Sequence, residues 1–416
     1  MLKYTPKTSK SNLSFLREIN EARIFNMIRE EKQISRIELS KRASMSKTTV
    51  SEIIGRLLEE GMIYEEGKGK STVKGGKRPV MLQIKPEGGY VFGIQIKRTK
   101  TLLAIADLNS EILTRGVLNY EAGCKANEVL EKIFSRMQTM LKRSGIPAGR
   151  LISIGIAIPG FVDDEQGKIL YASTLEGWDG EPIVESFRER FDIPVYMEND
   201  INVLAWAEFV KGAGLKSNDM LCINIGDGLG AGIIENSTLV RGLGGGAGEI
   251  GFLNLNPYRI WLKDNWFYTG QNMLGDLFTR QNLLAAAERG YAVSGLKMPL
   301  EELTDGTLNS LILKADSGDP VIDRYTAMFA EILGLVVSST IIILGSSMVV
   351  LSGHIFRASE RFNLRIMEKI KDNLAGTPFF EDTQVQIGVI EEEETLRGTI
   401  ELAMEVFKRP YGNGVL

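Results

Sequence analysis

The run Glu198-Asn199-Asp200-Ile201-Asn202 brings amide and carboxylate side chains together at one point of the chain. It follows a short apolar strand pattern, Pro194 to Met197, and heads a helical pattern through Leu204, Trp206 and Phe209. At a strand-to-helix corner such groups can grip hydroxyls, and a carboxylate can take a proton from one. Asp200 would equally serve as the N-cap of that helix. Two glycine-rich stretches follow. Asn224 to Gly232 is a turn between apolar runs, and Gly242 to Phe252 is a loop carrying one carboxylate, Glu249. A glycine-rich turn lets backbone N–H groups approach phosphate oxygens, but it also makes a tight hairpin with no ligand at all.

These segments lie in a chain of 416 residues, 44% hydrophobic and 25% charged, long enough for two or three cores. Cys124 and Cys222 stand far apart in no metal-ligand spacing, so neither a disulfide framework nor a cysteine zinc site is expected. Met1 to Asn12 is polar and basic and lacks the apolar core of a signal peptide. Met328 to Leu351 is apolar enough to raise a membrane span, but its interruptions read as a buried helix followed by a buried strand. A cytoplasmic protein with no membrane partner is expected.

Charge divides the chain. Residues 1–85 carry 18 Lys and Arg against 10 Asp and Glu, a net of +8, whereas the remainder carries 31 against 43, a net of −12. A basic head on an acidic body points to a polyanion partner for the head, most simply double-stranded DNA. Three helical patterns occupy it: Phe15 to Arg29, a second opened by the capping box Ser35-Arg36-Ile37-Glu38 and ending near Ala43, and a third N-capped by Ser46. In such a helix-turn-helix the third helix enters the major groove by its N-terminal residues, here Ser46, Lys47, Thr48, Thr49 and Ser51. Strand patterns at Met62 to Tyr64 and Pro79 to Ile84 enclose a glycine-rich loop with five cations. That loop is either a solvated hairpin tip or a DNA-binding wing, in which Lys70, Lys77 and Arg78 would reach phosphates or the minor groove.

The helix-turn-helix, then Gly67-x-Gly69-x-Ser71, Gly75-Gly76-Lys77-Arg78-Pro79 and Ile84-Lys85-Pro86, resembles the xylose-repressor-like branch of the ROK family of repressors, open reading frames and sugar kinases. The resemblance runs from residue 15 to 405 and is weakest between 254 and 320. In the body, strand patterns Tyr90 to Ile96 and Thr101 to Ala106, a third strand and a helix from Ala126 to Leu141 are echoed by Met220 to Ile225, Gly230 to Ile234 and Leu239-Val240. The repeat, with the resemblance, implies an α/β fold: an N-terminal winged helix-turn-helix followed by a duplicated ribonuclease-H-like, actin and sugar-kinase type, two-lobed body. The expected division is a flexible arm (1–14), the DNA-binding head (15–85), lobe 1 (86–217) and lobe 2 (218–416).

The resemblance also implies site residues. Gly155 to Asp163 is similar to the family's Gly-x-x-x-Pro-Gly segment, which places Gly160 beside a sugar. Glu198 to Asn202 is similar to Glu-Asn-Asp-x-Asn, in which Asn199 and Asp200 would bind sugar hydroxyls, with Asp200 the catalytic base in a kinase. Gly248-Glu249-Ile250-Gly251-Phe252 is similar to Gly-Glu-x-Gly-His, and Glu249 would accept a sugar hydroxyl. A carboxylate pair on neighbouring loops suits a vicinal diol. The nucleotide side departs from the family. Its kinases carry Asp-x-Gly-Gly-Thr-Lys in the first hairpin turn, where this chain has Gln95-Ile96-Lys97-Arg98-Thr99-Lys100. In the second turn Asp227 replaces Thr, and a carboxylate repels phosphate. Thr99, Gly226, Asp227 and Gly228 are therefore a degenerate phosphate site. Phe252 replaces the family's His, and residues 254–276 hold no Cys, so no zinc is expected. Trp261, Trp266 and Tyr268 would be core or interface, or stack on a sugar. His354 has no assigned role.

The expected protein is a sugar-responsive regulator, acting on carbohydrate genes as a homodimer or homotetramer and needing no cofactor. The alternative is an ATP-dependent sugar kinase of the glucose or N-acetylglucosamine class, using Mg-ATP with Asp200 as base.

Overall fold

Ser35 accepts the Glu38 backbone N–H through its hydroxyl while Glu38 reaches back to Ser35 N–H at 3.0 Å, so the expected capping box starts a helix where the sequence places it. The computed structural model describes residues 12–68, 79–163, 166–226, 228–254, 273–299, 308–405 and 407. The head consists of α1 (Asn12–Glu31), β1 (Ile34–Ser35), α2 (Arg36–Ala43), α3 (Lys47–Glu59), β2 (Ile63–Lys68) and β3 (Val80–Ile84). Helix α1 begins at Asn12, so the last residues of the expected arm are helical. Strand β1 is too short to show a sequence period, and it pairs with β3, placing β3 between β1 and β2. Ile24, Phe25 and Ile28 of α1 pack with Leu39, Val50, Ile53, Ile54 and Leu57. Each such buried side chain contributes roughly 1.5–3 kcal/mol.

Lobe 1 follows with β4 (Tyr90–Ile96), β5 (Lys100–Asp107), β6 (Ile112–Asn119), α4 (Ala126–Ser144), β7 (Leu151–Ile158), β8 (Phe161–Asp163), β9 (Lys168–Tyr171), α5 (Ile183–Phe191), β10 (Val195–Asn199) and α6 (Asp200–Lys211). Its sheet has the order β10-β7-β4-β5-β6, with β10, β7 and β4 parallel and β4, β5 and β6 antiparallel. The second half contains β11 (Met220–Ile225), β12 (Leu229–Glu235), β13 (Thr238–Val240), α7 (Arg280–Val293), α8 (Leu308–Asp316), α9 (Pro320–Leu344), β14 (Met348–Ser352), α10 (His354–Ala358), α11 (Glu360–Leu374), α12 (Phe379–Asp382), β15 (Gln384–Ile387) and α13 (Glu392–Glu405). The order β13-β12-β11-β14-β15 repeats the first sheet strand for strand, which is the duplication expected from the sequence. The apolar run 328–351 divides into the end of α9 and the buried strand β14. Helix α9 is long and apolar enough to cross a membrane, but one face of it, including Phe329, Leu333 and Val337, lies in the second core.

The division into units differs from the expected one. The first unit runs to Asp200 and includes Glu392 onward, and the second is Ile201–Glu391. The break falls inside α6 rather than after residue 217, and α13 returns to cover the first sheet. Gly93 and Gly155 make that seat possible, since a Cβ on Gly93 would lie 2.7 Å from Ile400 Cγ1 and one on Gly155 2.5 Å from the Thr399 carbonyl oxygen. The head belongs to the same unit. Phe25 meets Phe407 edge to face at 5.6 Å, and Arg29 of α1 pairs with Glu401 of α13 at 2.5 Å and donates to the Ser110 hydroxyl at 3.2 Å. The Ile-x-Pro connection is packed as well, with Leu108 N–H donating to the Pro86 carbonyl and Arg150 to that of Gly88.

The Arg29 and Glu401 side chains are only 12% and 11% exposed. Replacing Glu401 by alanine is expected to lower unfolding free energy by about 3 kcal/mol, because it strips a mostly buried guanidinium of its carboxylate. Urea unfolding checks this, with the exposed Glu66→Ala change expected to stay within about 0.5 kcal/mol.

Candidate functional site

In the head, Ser40 and Lys41 carbonyls hold the α2–α3 turn, where Ser44 adopts the left-handed conformation at φ 55°. Ser46 caps α3 by accepting Thr49 N–H at 3.0 Å, and the two hydroxyls are 2.8 Å apart. Those two hydroxyls thus help to build the helix start, while the exposed Lys47, Thr48 and Ser51 project from it. The opposite face of α3, through Val50, Ile53, Ile54 and Leu57, is buried. The Arg56–Glu21 pair at 2.9 Å fixes α3 to α1, and Arg36–Glu65 at 2.8 Å fixes α2 to β2. Strands β2 and β3 form the stem of the expected wing, paired from Ile63–Ile84 to Lys68–Val80 with a one-residue register shift between Glu66 and Lys68. Lys70, Lys77 and Arg78 lie outside the described residues.

In lobe 1 the parallel pairing of β10 with β7 sets Asn199 opposite Ile158, one residue before Pro159-Gly160. Asn199 Nδ2 donates to the Gly160 carbonyl at 2.8 Å, joining two of the expected sugar residues. Gly160 has φ +106°, and a Cβ there would lie 2.3 Å from the Tyr171 carbonyl oxygen, so any side chain would push the loop away. Glu198 is buried and holds the corner. It accepts the Tyr196 hydroxyl at 2.7 Å through Oε2 and the Asn199 backbone N–H at 3.0 Å through Oε1. Tyr196 was not among the residues singled out from sequence, since a tyrosine in a strand reads as core. Asp200 is the first residue of α6 rather than a cap preceding it, and it is half-buried. A carboxylate there faces the favourable end of the helix dipole.

The first hairpin turn is closed by hydrogen bonds. Lys97 N–H donates to the Lys100 carbonyl at 2.9 Å, and the Tyr120 hydroxyl stands 2.7 Å from the Lys97 carbonyl and 3.0 Å from that of Lys100. Burial pushes the Tyr120 hydroxyl above the ordinary phenol range, so it stays a donor. Thr99 is exposed at the tip, and Gln95, in the position of the kinase acid, is buried. A buried amide in that strand offers no negative charge to a metal-nucleotide.

The second unit carries the remaining residues. Gly226 N–H donates to the Gly228 carbonyl at 2.9 Å in the second turn, and Asp227 lies outside the described residues. The adjoining glycines serve packing: a Cβ on Gly230 would lie 2.5 Å from Ile201 Cδ1, and one on Gly232 2.3 Å from Ala205 Cβ. They let α6 approach β12 closely at Ile201 and Ala205. Glu249 is half-buried, in a loop fastened to β12 by the Ala231 N–H to Gly248 carbonyl bond at 2.7 Å. Trp261, Trp266 and Tyr268 lie outside the described residues, and His354 is exposed at the start of α10.

A winged helix-turn-helix joined to two sheets of repeated order defines a DNA-binding head on a sugar-kinase-like body. The chain belongs to the ROK family, whose model matches residues 91–406, and a winged helix-turn-helix DNA-binding model matches residues 17–64. It is similar to the xylose repressor of Caldicellulosiruptor bescii, 26% identical over 94% of this chain and 97% of that one. It is also similar to the DNA-binding transcriptional dual regulator NagC of Escherichia coli K12, 24% identical over 97% and 96% of the two chains. Among solved structures, a ROK family transcriptional regulator homologous to the Escherichia coli MLC protein matches 95% of this chain and 98% of its own, with TM-score 0.78 and 20% identity. A ROK family glucokinase from Streptomyces griseus, solved with glucose and AMPPNP, matches 76% of this chain and 99% of its own, with TM-score 0.57 and 24% identity. At these identities the two structures bear on the fold: the regulator spans head and body, whereas the glucokinase spans a stretch the size of the body.

Proposed function

We propose that this protein is a sugar-responsive, DNA-binding transcriptional repressor of carbohydrate genes, acting as a homo-oligomer in the cytoplasm rather than as an enzyme. The observation that carries the reading is the head itself, a winged helix-turn-helix with Lys47, Thr48 and Ser51 exposed, packed against α13 of the same unit through Arg29–Glu401. The relatives, a xylose repressor and a DNA-binding transcriptional dual regulator, extend over nearly the whole chain and support it. Asn199, Gly160 and Asp200 supply polar contacts for a small sugar. The first turn, with Gln95 in place of an acid and Lys97-Arg98 in place of two glycines, argues against Mg-ATP, and no cofactor is assigned. Two copies would set two recognition helices on two half-sites.

The test is fluorescence anisotropy on the DNA upstream of the protein's own coding region, at low salt, with and without xylose, glucose or N-acetylglucosamine. Specific binding that one sugar weakens at least about tenfold supports the reading, as this is an ordinary allosteric coupling. Absence of binding at every salt concentration overturns it. Sugar-stimulated ADP release that Asp200→Asn abolishes would establish the kinase instead.

A further inference from the structure

Glu208 stands on α6 two turns beyond Asp200 and is 0% exposed. A carboxylate so placed is tolerated only when its oxygens are hydrogen-bonded. Glu208 Oε2 accepts Ala213 N–H at 2.9 Å, and Oε1 accepts Ile390 N–H, 182 residues away, at 2.8 Å. The approach is close: a Cβ on Gly388 would lie 2.5 Å from Glu208 Oε1 and would displace the carboxylate. Leu204, Ala207 and Ile390 close over the contact as a small buried cluster. The same segment is held from other sides: Gly388 N–H donates to the Leu351 carbonyl at 2.8 Å, Arg357 donates to the Ile390 carbonyl, and Arg357 pairs with Glu391 at 3.3 Å.

The next residue, Glu392, opens α13 and belongs to the first unit. The chain therefore passes between units at 200/201, where α6 begins, and at 391/392, where α13 begins, and Glu208 ties α6 to the residues just before the second passage. Helix α13 is seated on β4 and β7 at Gly93 and Gly155 and reaches α1 through Glu401–Arg29, and Phe407, just beyond its end, meets Phe25. Helix α1 in turn holds α3 through Glu21–Arg56.

We propose that Glu208 is a positioning residue that couples sugar binding at Asn199 and Asp200 to the DNA affinity of the head, through its hydrogen bond to Ile390 and thence α13. The inference rests on the sugar-responsive reading above. An apolar side chain would fill the same space, but it would not fix one backbone segment against another in a single direction. A displacement of α6 when a sugar engages its first residue is passed to the start of α13, and α13 carries it to α1 and the recognition helix.

Full-length wild type is compared with Glu208→Ala and with a variant carrying one glycine inserted between Glu391 and Glu392, which keeps every Glu208 contact but breaks the continuity into α13. The sugar is whichever of xylose, glucose and N-acetylglucosamine raises the wild-type melting temperature. Both variants are expected to bind sugar-free operator within about threefold of wild type and to keep the melting shift. The sugar-induced loss of operator affinity is expected to fall from about tenfold or more to less than about twofold. If Glu208→Ala does not fold, the insertion variant decides. A full sugar response in the folded variants overturns the coupling role and leaves the sensor reading intact. A wild type that binds operator but answers to no sugar overturns both.

Discussion

Replacing Lys47 and Thr48 together by alanine is expected to weaken operator binding about 100-fold, with the melting temperature unchanged. Both side chains are exposed at the N-terminal end of α3, whose buried face is made by other residues. A Lys contact to phosphate releases counterions on binding, and a Thr hydroxyl or methyl can read a base edge or a thymine methyl. Each contact is worth roughly 1–3 kcal/mol, so losing both amounts to about 2.7 kcal/mol even near the lower end, which is about 100-fold. Alanine favours a helix more than threonine does, so the fold has no reason to suffer. The salt dependence should also fall by about one unit of slope for the lost phosphate contact. Anisotropy titrations at several salt concentrations measure both quantities, and an unchanged affinity would remove α3 from the interface.

Asn199→Ala is expected to do the converse, abolishing the sugar response while sparing operator binding. The substitution removes the Nδ2 donor to the Gly160 carbonyl and, with it, the amide proposed above to meet a sugar hydroxyl. A lost hydrogen bond costs about 1–3 kcal/mol, and the loop at Gly160, no longer tied to β10, adds misalignment, so sugar affinity should drop roughly 30- to 100-fold. Stability should fall by only about 1–2 kcal/mol, for the carbonyl left without its donor. Calorimetric titration with the responsive sugar and a parallel anisotropy assay separate the two outcomes. Undiminished sugar affinity would place the site elsewhere, and lost operator binding would show that Asn199 supports the head.

The local elements were legible because their causes are local. The capping box at Ser35–Glu38, the cap at Ser46 and the apolar periods of α3 and α4 act over a few residues through backbone hydrogen bonding, and each appears where the sequence places it. Strands β4 and β11 match their expected bounds because turn residues enclose short apolar runs. The two sheets were legible as a repeat of strand and turn patterns. Placement was not. An apolar helix such as α13 fits any apolar sheet face, and only the shallow seats at Gly93 and Gly155, far back in the chain, select the first.

The same limit divides the site. Glycines in Asn224 to Gly232 suit phosphate or packing equally well in sequence, and the fold shows Gly230 and Gly232 occupied by the approach of α6. Glu208 reads as an ordinary helical carboxylate until Ile390 is brought to it. By itself the sequence determined the charge division, the residue types at the strand-to-helix corner and the start of α3, since composition and caps depend on near neighbours alone. Tertiary structure decided which segments those residues face, where the units divide and that the head is packed on lobe 1. Those outcomes rest on contacts between residues hundreds of positions apart, whose partners no local pattern encodes.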